Sequence, residues 1–111
     1  MASEYKYCFT KKAEADLDAI LSYMVNDLCN AKAAKDFYNK IFGQLNNVCR
    51  FPDSGVLVDS EYLADKSIRR LLVDNYTVYY KCDDEACVIY IVRLIYSRRN
   101  FNEIVNTLDL W

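Results

Sequence analysis

The fold follows from residues 67–96, which read Ser67-Ile68-Arg69-Arg70-Leu71-Leu72-Val73, then Tyr76-Thr77-Val78-Tyr79-Tyr80-Lys81-Cys82, then Ala86-Cys87-Val88-Ile89-Tyr90-Ile91-Val92-Arg93-Leu94-Ile95-Tyr96. β-branched and aromatic residues dominate these three runs, and short polar turns, Asp74-Asn75 and Asp83-Asp84-Glu85, separate them. The pattern predicts strands at about 67–73, 76–82 and 86–96, joined by two hairpins.

The residues before this stretch predict one further strand and a helical hairpin. Residues 5–9 form a short strand, and Thr10 and Asn30 are expected to cap two helices. Pro52 ends the second helix, within which Gly43 is expected to mark a close helix crossing. Apolar residues at helical spacing form one stripe on each helix: Ala13, Leu17, Ile20, Leu21, Met24 and Leu28, then Ala34, Phe37, Ile41, Leu45 and Val48.

The predicted fold class is therefore α+β, in a single domain spanning residues 1–111. A small antiparallel sheet carries the N-terminal helical hairpin on one face, in the order β-α-α-β-β-β. The spacing of Phe101, Ile104, Val105 and Leu108 adds a short C-terminal helix. With 111 residues the chain is long enough for one compact core.

The composition excludes several kinds of site. The chain has no histidine, so neither a Ser-His-Asp nor a Cys-His arrangement is present, and no Gly-rich phosphate loop occurs. Five cysteines lack metal-like spacing, so we predict no metal and no cofactor. The sequence shows neither a signal peptide nor a long apolar run, which predicts a cytoplasmic protein with reduced thiols and no membrane contact.

Positive charge is concentrated on the predicted sheet. The net charge of the chain is −2, yet residues 66–99 hold seven basic and four acidic side chains. Guanidinium groups bind phosphate and carboxylate groups through two oxygens, so this segment is expected to meet an acidic partner. By strand alternation, Arg70 shares a face with Ile68 and Leu72, and Tyr79 shares a face with Thr77 and Lys81.

Arg93 has two interpretations. It is expected to share a face with Ile89, Ile91 and Ile95. An arginine among isoleucines is either part of an ion pair, with Asp16 or another helix carboxylate, or a contact for an acidic partner.

Seven short motifs occur in the order found in one known superfamily. The chain resembles the RelE/ParE superfamily, the plasmid-stabilisation toxins of type II toxin–antitoxin modules. The motifs are residues 5–10, Ala13-Glu14-Ala15-Asp16-Leu17-Asp18-Ala19-Ile20 with Tyr23, Ala33-Ala34 with Phe37-Tyr38, Phe51-Pro52-Asp53-Ser54-Gly55, Ile68-Arg69-Arg70-Leu71, Asn75-Tyr76-Thr77-Val78-Tyr79-Tyr80 and Val92-Arg93-Leu94-Ile95-Tyr96-Ser97-Arg98-Arg99.

The resemblance implies a growth-arresting toxin that a cognate antitoxin protein inactivates in a hetero-oligomer. The antitoxin and the cellular target are expected to contact the basic sheet segment. The predicted contact residues are Arg69, Arg70, Tyr79, Lys81, Arg93, Arg98 and Arg99.

Two activities occur in this superfamily, and the resemblance leaves both open. RelE-like members cut mRNA on the ribosome, for which Arg70, Arg98 and Tyr96 would be the catalytic candidates here. However, Thr77 replaces an arginine common in that group, and no Tyr or His follows Arg99. ParE-like members inhibit DNA gyrase without catalytic residues, and Arg93-Leu94-Ile95-Tyr96 resembles the end of their last strand. The departures favour the ParE-like activity.

Overall fold

The computed structural model describes residues 5–58 and 67–98. The strands are β1 (Lys6–Phe9), β2 (Val56–Leu57), β3 (Arg69–Val73), β4 (Tyr76–Asp83) and β5 (Val88–Tyr96). The helices are α1 (Lys11–Ser22), which continues into a π-helical turn (Tyr23–Asp27), and α2 (Ala31–Arg50). The predicted C-terminal helix and Arg99 lie outside the described residues.

The helical hairpin packs on one face of a five-stranded sheet with the strand order β1-β5-β4-β3-β2. The predicted α+β class is confirmed. The sheet is mixed, because β1 pairs with β5 in parallel while all other neighbours are antiparallel. The two residues of β2 pair with β3 and extend the sheet beyond the predicted strands, and a run this short leaves no alternating pattern in the sequence.

The first helix begins as predicted but ends in a different geometry. The Thr10 hydroxyl accepts a hydrogen bond from the Ala13 amide at 3.2 Å, and the early stripe residues are buried. At the π turn the Leu28 amide donates to the Tyr23 carbonyl, five residues back, at 3.0 Å. A π turn holds more residues than an α turn, so it rotates later residues off the stripe. The prediction that Leu28 packs in the core is therefore wrong, and 53% of its surface is exposed.

The second helix begins at the predicted cap, since the Asn30 side chain accepts a hydrogen bond from the Ala33 amide at 3.0 Å. Its stripe from Ala34 to Val48 is buried against the sheet. Gly43 lies on the exposed side of the helix, where an added Cβ would meet nothing within 4 Å. The expected close helix crossing at this position is therefore wrong.

A β-bulge in β5 changes which face its side chains occupy. Tyr79 pairs with Arg93 and Tyr80 with Ile91, so Val92 is an extra residue without a partner in β4. Before the bulge Ile91 packs towards the helices, whereas Ile95 after it packs on the other face. The expectation that Arg93 shares a face with both isoleucines is wrong, because the extra residue reverses the alternation.

Both faces of the sheet carry buried side chains. On the helix side Val78, Tyr80 and Ile91 pack against Phe37 and Ile41. On the face away from the helices, which we call the second face, the buried residues are Val58, Ile68, Tyr79, Val92 and Ile95. Within residues 5–58 and 67–98, neither helix has the length and apolar character needed to cross a membrane.

Candidate functional site

Arg70 is the predicted contact residue that the sheet presents most openly. Its strand neighbours are Val56 in β2 and Tyr79 in β4. Leu71 and Val73 pack into the helix-side core, so alternation directs Arg70 and Leu72 to the second face, as the sequence predicted. The Arg70 side chain is exposed there.

A shallow cavity of about 390 Å³ surrounds Arg70. We call its lining the Arg70 surface: Val56, Arg70, Leu71, Leu72, Thr77 and Ser97. Leu72 is 67% exposed, and the hydroxyl oxygens of Thr77 and Ser97 lie 2.9 Å apart in a hydrogen bond. One guanidinium beside exposed apolar side chains suits a partner that offers a carboxylate or phosphate next to an apolar group.

Arg69 has a structural role on the opposite side of β3. Its Nη1 donates to the Gly55 carbonyl at 2.7 Å, and its Nη2 lies 3.3 Å from the Asp53 carboxylate. These contacts hold the turn at residues 52–55 against the sheet. The guanidinium is thus engaged within the chain, and a role of Arg69 in binding a partner stays a prediction.

The same turn is fixed by the buried phenol of Tyr80. The Gly55 amide donates to the Tyr80 hydroxyl at 2.8 Å, and this hydroxyl donates to the Pro52 carbonyl at 3.0 Å. A Cβ at Gly55 would meet the Tyr80 hydroxyl and lie 2.8 Å from the Arg70 carbonyl. Only glycine allows this approach of the turn to β3 and β4.

Arg93 forms the predicted ion pair with Asp16. Its Nε and Nη2 donate to the two carboxylate oxygens at 2.7 and 3.1 Å, and one of these oxygens also accepts from the Leu94 amide at 3.0 Å. The Thr10 hydroxyl donates to the Val92 carbonyl at 3.1 Å. Together these bonds attach α1 to the bulge in β5, and any contact of Arg93 with a partner stays a prediction.

Tyr79 in β4 pairs with Arg70 in β3, and its side chain is only 4% exposed. Burial raises the pKa of this phenol above its ordinary value, and the positive charge of Arg70 opposes the shift in part. Lys81 lies two residues further along β4 and is half-buried. For Tyr79 and Lys81, a direct contact with a partner remains a prediction.

Tyr96 lies on the other side of the sheet from Arg70. Its ring packs on Tyr76, with the ring centres 5.6 Å apart, and Tyr76 in turn contacts Phe37 of α2. Arg98 is exposed in the turn after β5, where the Ser97 amide donates to the Asn75 carbonyl at 2.8 Å. The fold thus brings Arg70 to the side of Thr77 and Ser97, and it separates Arg70 from Tyr96.

Of the six lining residues, only Arg70 was a predicted contact residue; the residues missed are Val56, Leu71, Leu72, Thr77 and Ser97. Val56 belongs to a strand of two residues, and Ser97 follows a bulge that changes the face of β5. Among the described residues, no group of three or more His, Cys, Asp or Glu side chains is placed to hold a metal ion.

One family model matches most of the chain. A family model described as "ParE toxin of type II toxin-antitoxin system, parDE" matches residues 7–101. A search of curated proteins finds no match.

Solved structures with a similar fold include chains from two toxin–antitoxin systems. One is a chain of the chromosomal ParDE system from P. aeruginosa, with a TM-score of 0.65 and 23% identity over 84% of this chain and 96% of that one. Another belongs to the RelBE2 toxin–antitoxin complex from Mycobacterium tuberculosis, with a TM-score of 0.60 and 20% identity over 85% of this chain and 99% of that one. At these identities the likeness establishes the fold.

Proposed function

We infer the function from the fact that this chain belongs to the ParE toxin family of type II toxin–antitoxin systems, and we propose that it arrests growth by binding DNA gyrase and inhibiting it. Inhibition by binding requires a complementary surface and no reacting side chain. The Arg70 surface, with its single guanidinium and exposed leucine, has the chemistry of such a contact.

The observation that carries the proposal is the separation of Arg70 from Tyr96 across the sheet. Cleavage of RNA needs one group that takes a proton from the attacking hydroxyl and another that protonates the leaving oxygen. Tyr79, the phenol that pairs with Arg70 across the sheet, is buried with a raised pKa, so it stays protonated and is a poor base near neutral pH. The chain has no histidine to replace it.

We expect the protein partners to be a cognate antitoxin and the target, both in the cytoplasm. The similar structures include chains of the ParDE system and of the RelBE2 toxin–antitoxin complex, which supports an antitoxin partner in a hetero-oligomer. An antitoxin that covered the Arg70 surface would exclude the target from it, and neutralisation would then follow from competition for one site.

The second candidate function is ribosome-dependent cleavage of mRNA. It is favoured by the exposed guanidinium of Arg70 beside the Thr77–Ser97 hydroxyl pair, with exposed Arg98 one residue after Ser97. Such a cluster has donors suited to a phosphate group. In that reading Tyr96 would have to supply proton transfer.

Two variants test the candidates in cells: Arg70→Ala tests the surface that both candidates use, and Tyr96→Phe separates them. We expect Arg70→Ala to need at least tenfold more inducer than the wild type for the same growth arrest. A tenfold change corresponds to a loss of about 1.4 kcal/mol in the free energy of binding the target. Tyr96→Phe, which removes only the hydroxyl, should keep full toxicity with filamentation and DNA damage. Loss of arrest in Tyr96→Phe, together with new mRNA 5′ ends in reading frames by primer extension of the wild type, would contradict gyrase inhibition and support cleavage.

A further inference from the structure

A groove on the helix side of the sheet runs between β1, α1 and α2. Its cavity measures about 330 Å³. We call it the aromatic groove, and its lining includes two carboxylates and four rings: Glu14, Asp18, Tyr7, Phe9, Tyr38 and Phe42. It shares no residue with the Arg70 surface, whose guanidinium lies on the second face. The two surfaces are therefore able to bind separate partners.

One wall of the aromatic groove consists of rings from β1 and α2. The Phe42 ring lies 5.9 Å from the ring of Tyr7, 6.0 Å from that of Phe9 and 4.5 Å from that of Tyr38, measured between centroids. These contacts hold the rings in place, yet Tyr7 and Tyr38 remain 36% and 46% exposed. The face of an aromatic ring carries partial negative charge and attracts cations. This wall therefore offers a cation both apolar area and electrostatic attraction.

The other wall of the groove carries two carboxylates of α1. Glu14 and Asp18 lie four residues apart and are both exposed. Carboxylates at this spacing are neighbours on the helix surface and repel each other. Asp16 in the same helix forms an ion pair with Arg93, whereas within residues 5–58 and 67–98 no ion pair or side-chain hydrogen bond engages Glu14 or Asp18. A cation bound in the groove would relieve this repulsion.

We propose that the aromatic groove binds an arginine side chain presented by a partner protein. A guanidinium keeps its charge at any working pH, stacks flat on a ring and donates to two carboxylate oxygens at once. Its apolar stem would cover Leu17 and Phe42 at the floor of the groove. A purely apolar segment fits less well, because it would remove Glu14 and Asp18 from water without pairing them.

A titration of the full chain followed by nuclear magnetic resonance tests the groove with a defined probe. The probe is N-acetyl-arginine amide, and its control is N-acetyl-citrulline amide, which has nearly the same shape and no charge. We expect saturable shifts of the ring resonances of Tyr7, Tyr38 and Phe42 with the arginine probe and none with the citrulline probe. Binding should weaken as sodium chloride is added, because salt screens exposed charges. Equal responses to both probes, or no response to either, would overturn the proposal.

Three variants assign the binding to the two walls. Glu14→Gln combined with Asp18→Asn keeps the side-chain sizes and removes both charges, so saturable binding of the arginine probe should be lost. Tyr38→Leu removes one exposed ring and should raise the Kd by about two- to fivefold. Glu85→Gln, at an exposed carboxylate in the β4–β5 turn, is the matched control and should bind as the wild type does. Unchanged binding in the double variant, with an unchanged circular dichroism spectrum, would contradict the role of the acidic wall.

Two other cations test whether the occupant is arginine. N-acetyl-lysine amide has the same charge as the arginine probe, and spermidine is a free polyamine, but neither has a planar guanidinium. Both should bind more weakly than the arginine probe, and tighter binding of either one would overturn the assignment to arginine. None of these measurements involves gyrase or Arg70, so their failure would leave the proposed function untouched.

Discussion

At the scale of single residues, the Asp16–Arg93 pair joins α1 to β5. Both side chains are largely buried, with 17% and 14% of their surfaces exposed, and the carboxylate also holds the Leu94 amide. Asp16→Asn removes the charge and leaves a buried guanidinium partly unmatched. We expect a loss of about 2–3 kcal/mol in the free energy of unfolding, measured by urea denaturation. Asp18→Asn, an exposed carboxylate in the same helix, should change stability by less than about 0.5 kcal/mol. Equal stabilities of the two variants would contradict the structural role of the pair.

The buried phenols and one thiol predict how stability changes with pH. Burial raises the pKa of the Cys82 thiol from 9.0 to about 11, and burial also raises the pKa values of Tyr79 and Tyr80. The stability gained by keeping these groups neutral is complete below their unfolded-state pKa and is lost as pH rises through the folded-state pKa. The midpoint of urea unfolding should therefore be constant from pH 7 to about 8.5 and fall between about pH 9 and 11. The Cys82→Ala variant should show a smaller fall of the urea midpoint between about pH 9 and 11. A wild-type midpoint that rises over this pH range would contradict the prediction.

At the scale of elements, the helix α2 contains a glycine that its packing does not require. Gly43 is exposed in mid-helix with open space around its Cβ position. Gly43→Ala should raise the free energy of unfolding by about 0.5–1 kcal/mol, because alanine has the higher helix propensity and restricts the unfolded chain. Gly55→Ala is the contrasting variant, since its Cβ would collide with Tyr80, and it should lower stability by about 1–3 kcal/mol. The thermal unfolding midpoints of the two variants should thus shift in opposite directions. A lower midpoint for Gly43→Ala would contradict the open space around its Cβ position.

Sequence reasoning predicted the elements that leave a local signal. Both helix caps, Thr10 and Asn30, and the β3–β4–β5 meander are confirmed. The π turn and the bulge at Val92 were missed, because each adds a single residue to a regular element without a marker such as Gly or Pro. The parallel pairing of β1 with β5 was also missed, since it joins residues about 80 positions apart.

At the scale of the whole molecule, the fold divides four of the predicted arginines into two groups. Arg69 and Arg93 bond to groups within the chain, whereas Arg70 and Arg98 are exposed. The sequence predicted the partner of Arg93 but no partner for Arg69, because the contacts of Arg69 depend on a turn held by Tyr80 and Gly55. The opposite placement of Tyr96 and Arg70 likewise depends on the bulge, which pattern alone does not reveal. This placement favours inhibition by binding over RNA cleavage.

The most direct test of that claim is the supercoiling of relaxed plasmid by purified gyrase and ATP in the presence of the purified toxin. We expect supercoiling to fall as the toxin concentration rises. The Arg70→Ala variant should need a concentration about tenfold higher, or more, for the same inhibition. The Lys32→Ala variant should inhibit as strongly as the wild type. Lys32 is an exposed cation on α2, so it controls for the loss of one positive charge. Full supercoiling at saturating concentrations of folded wild-type toxin would contradict gyrase inhibition.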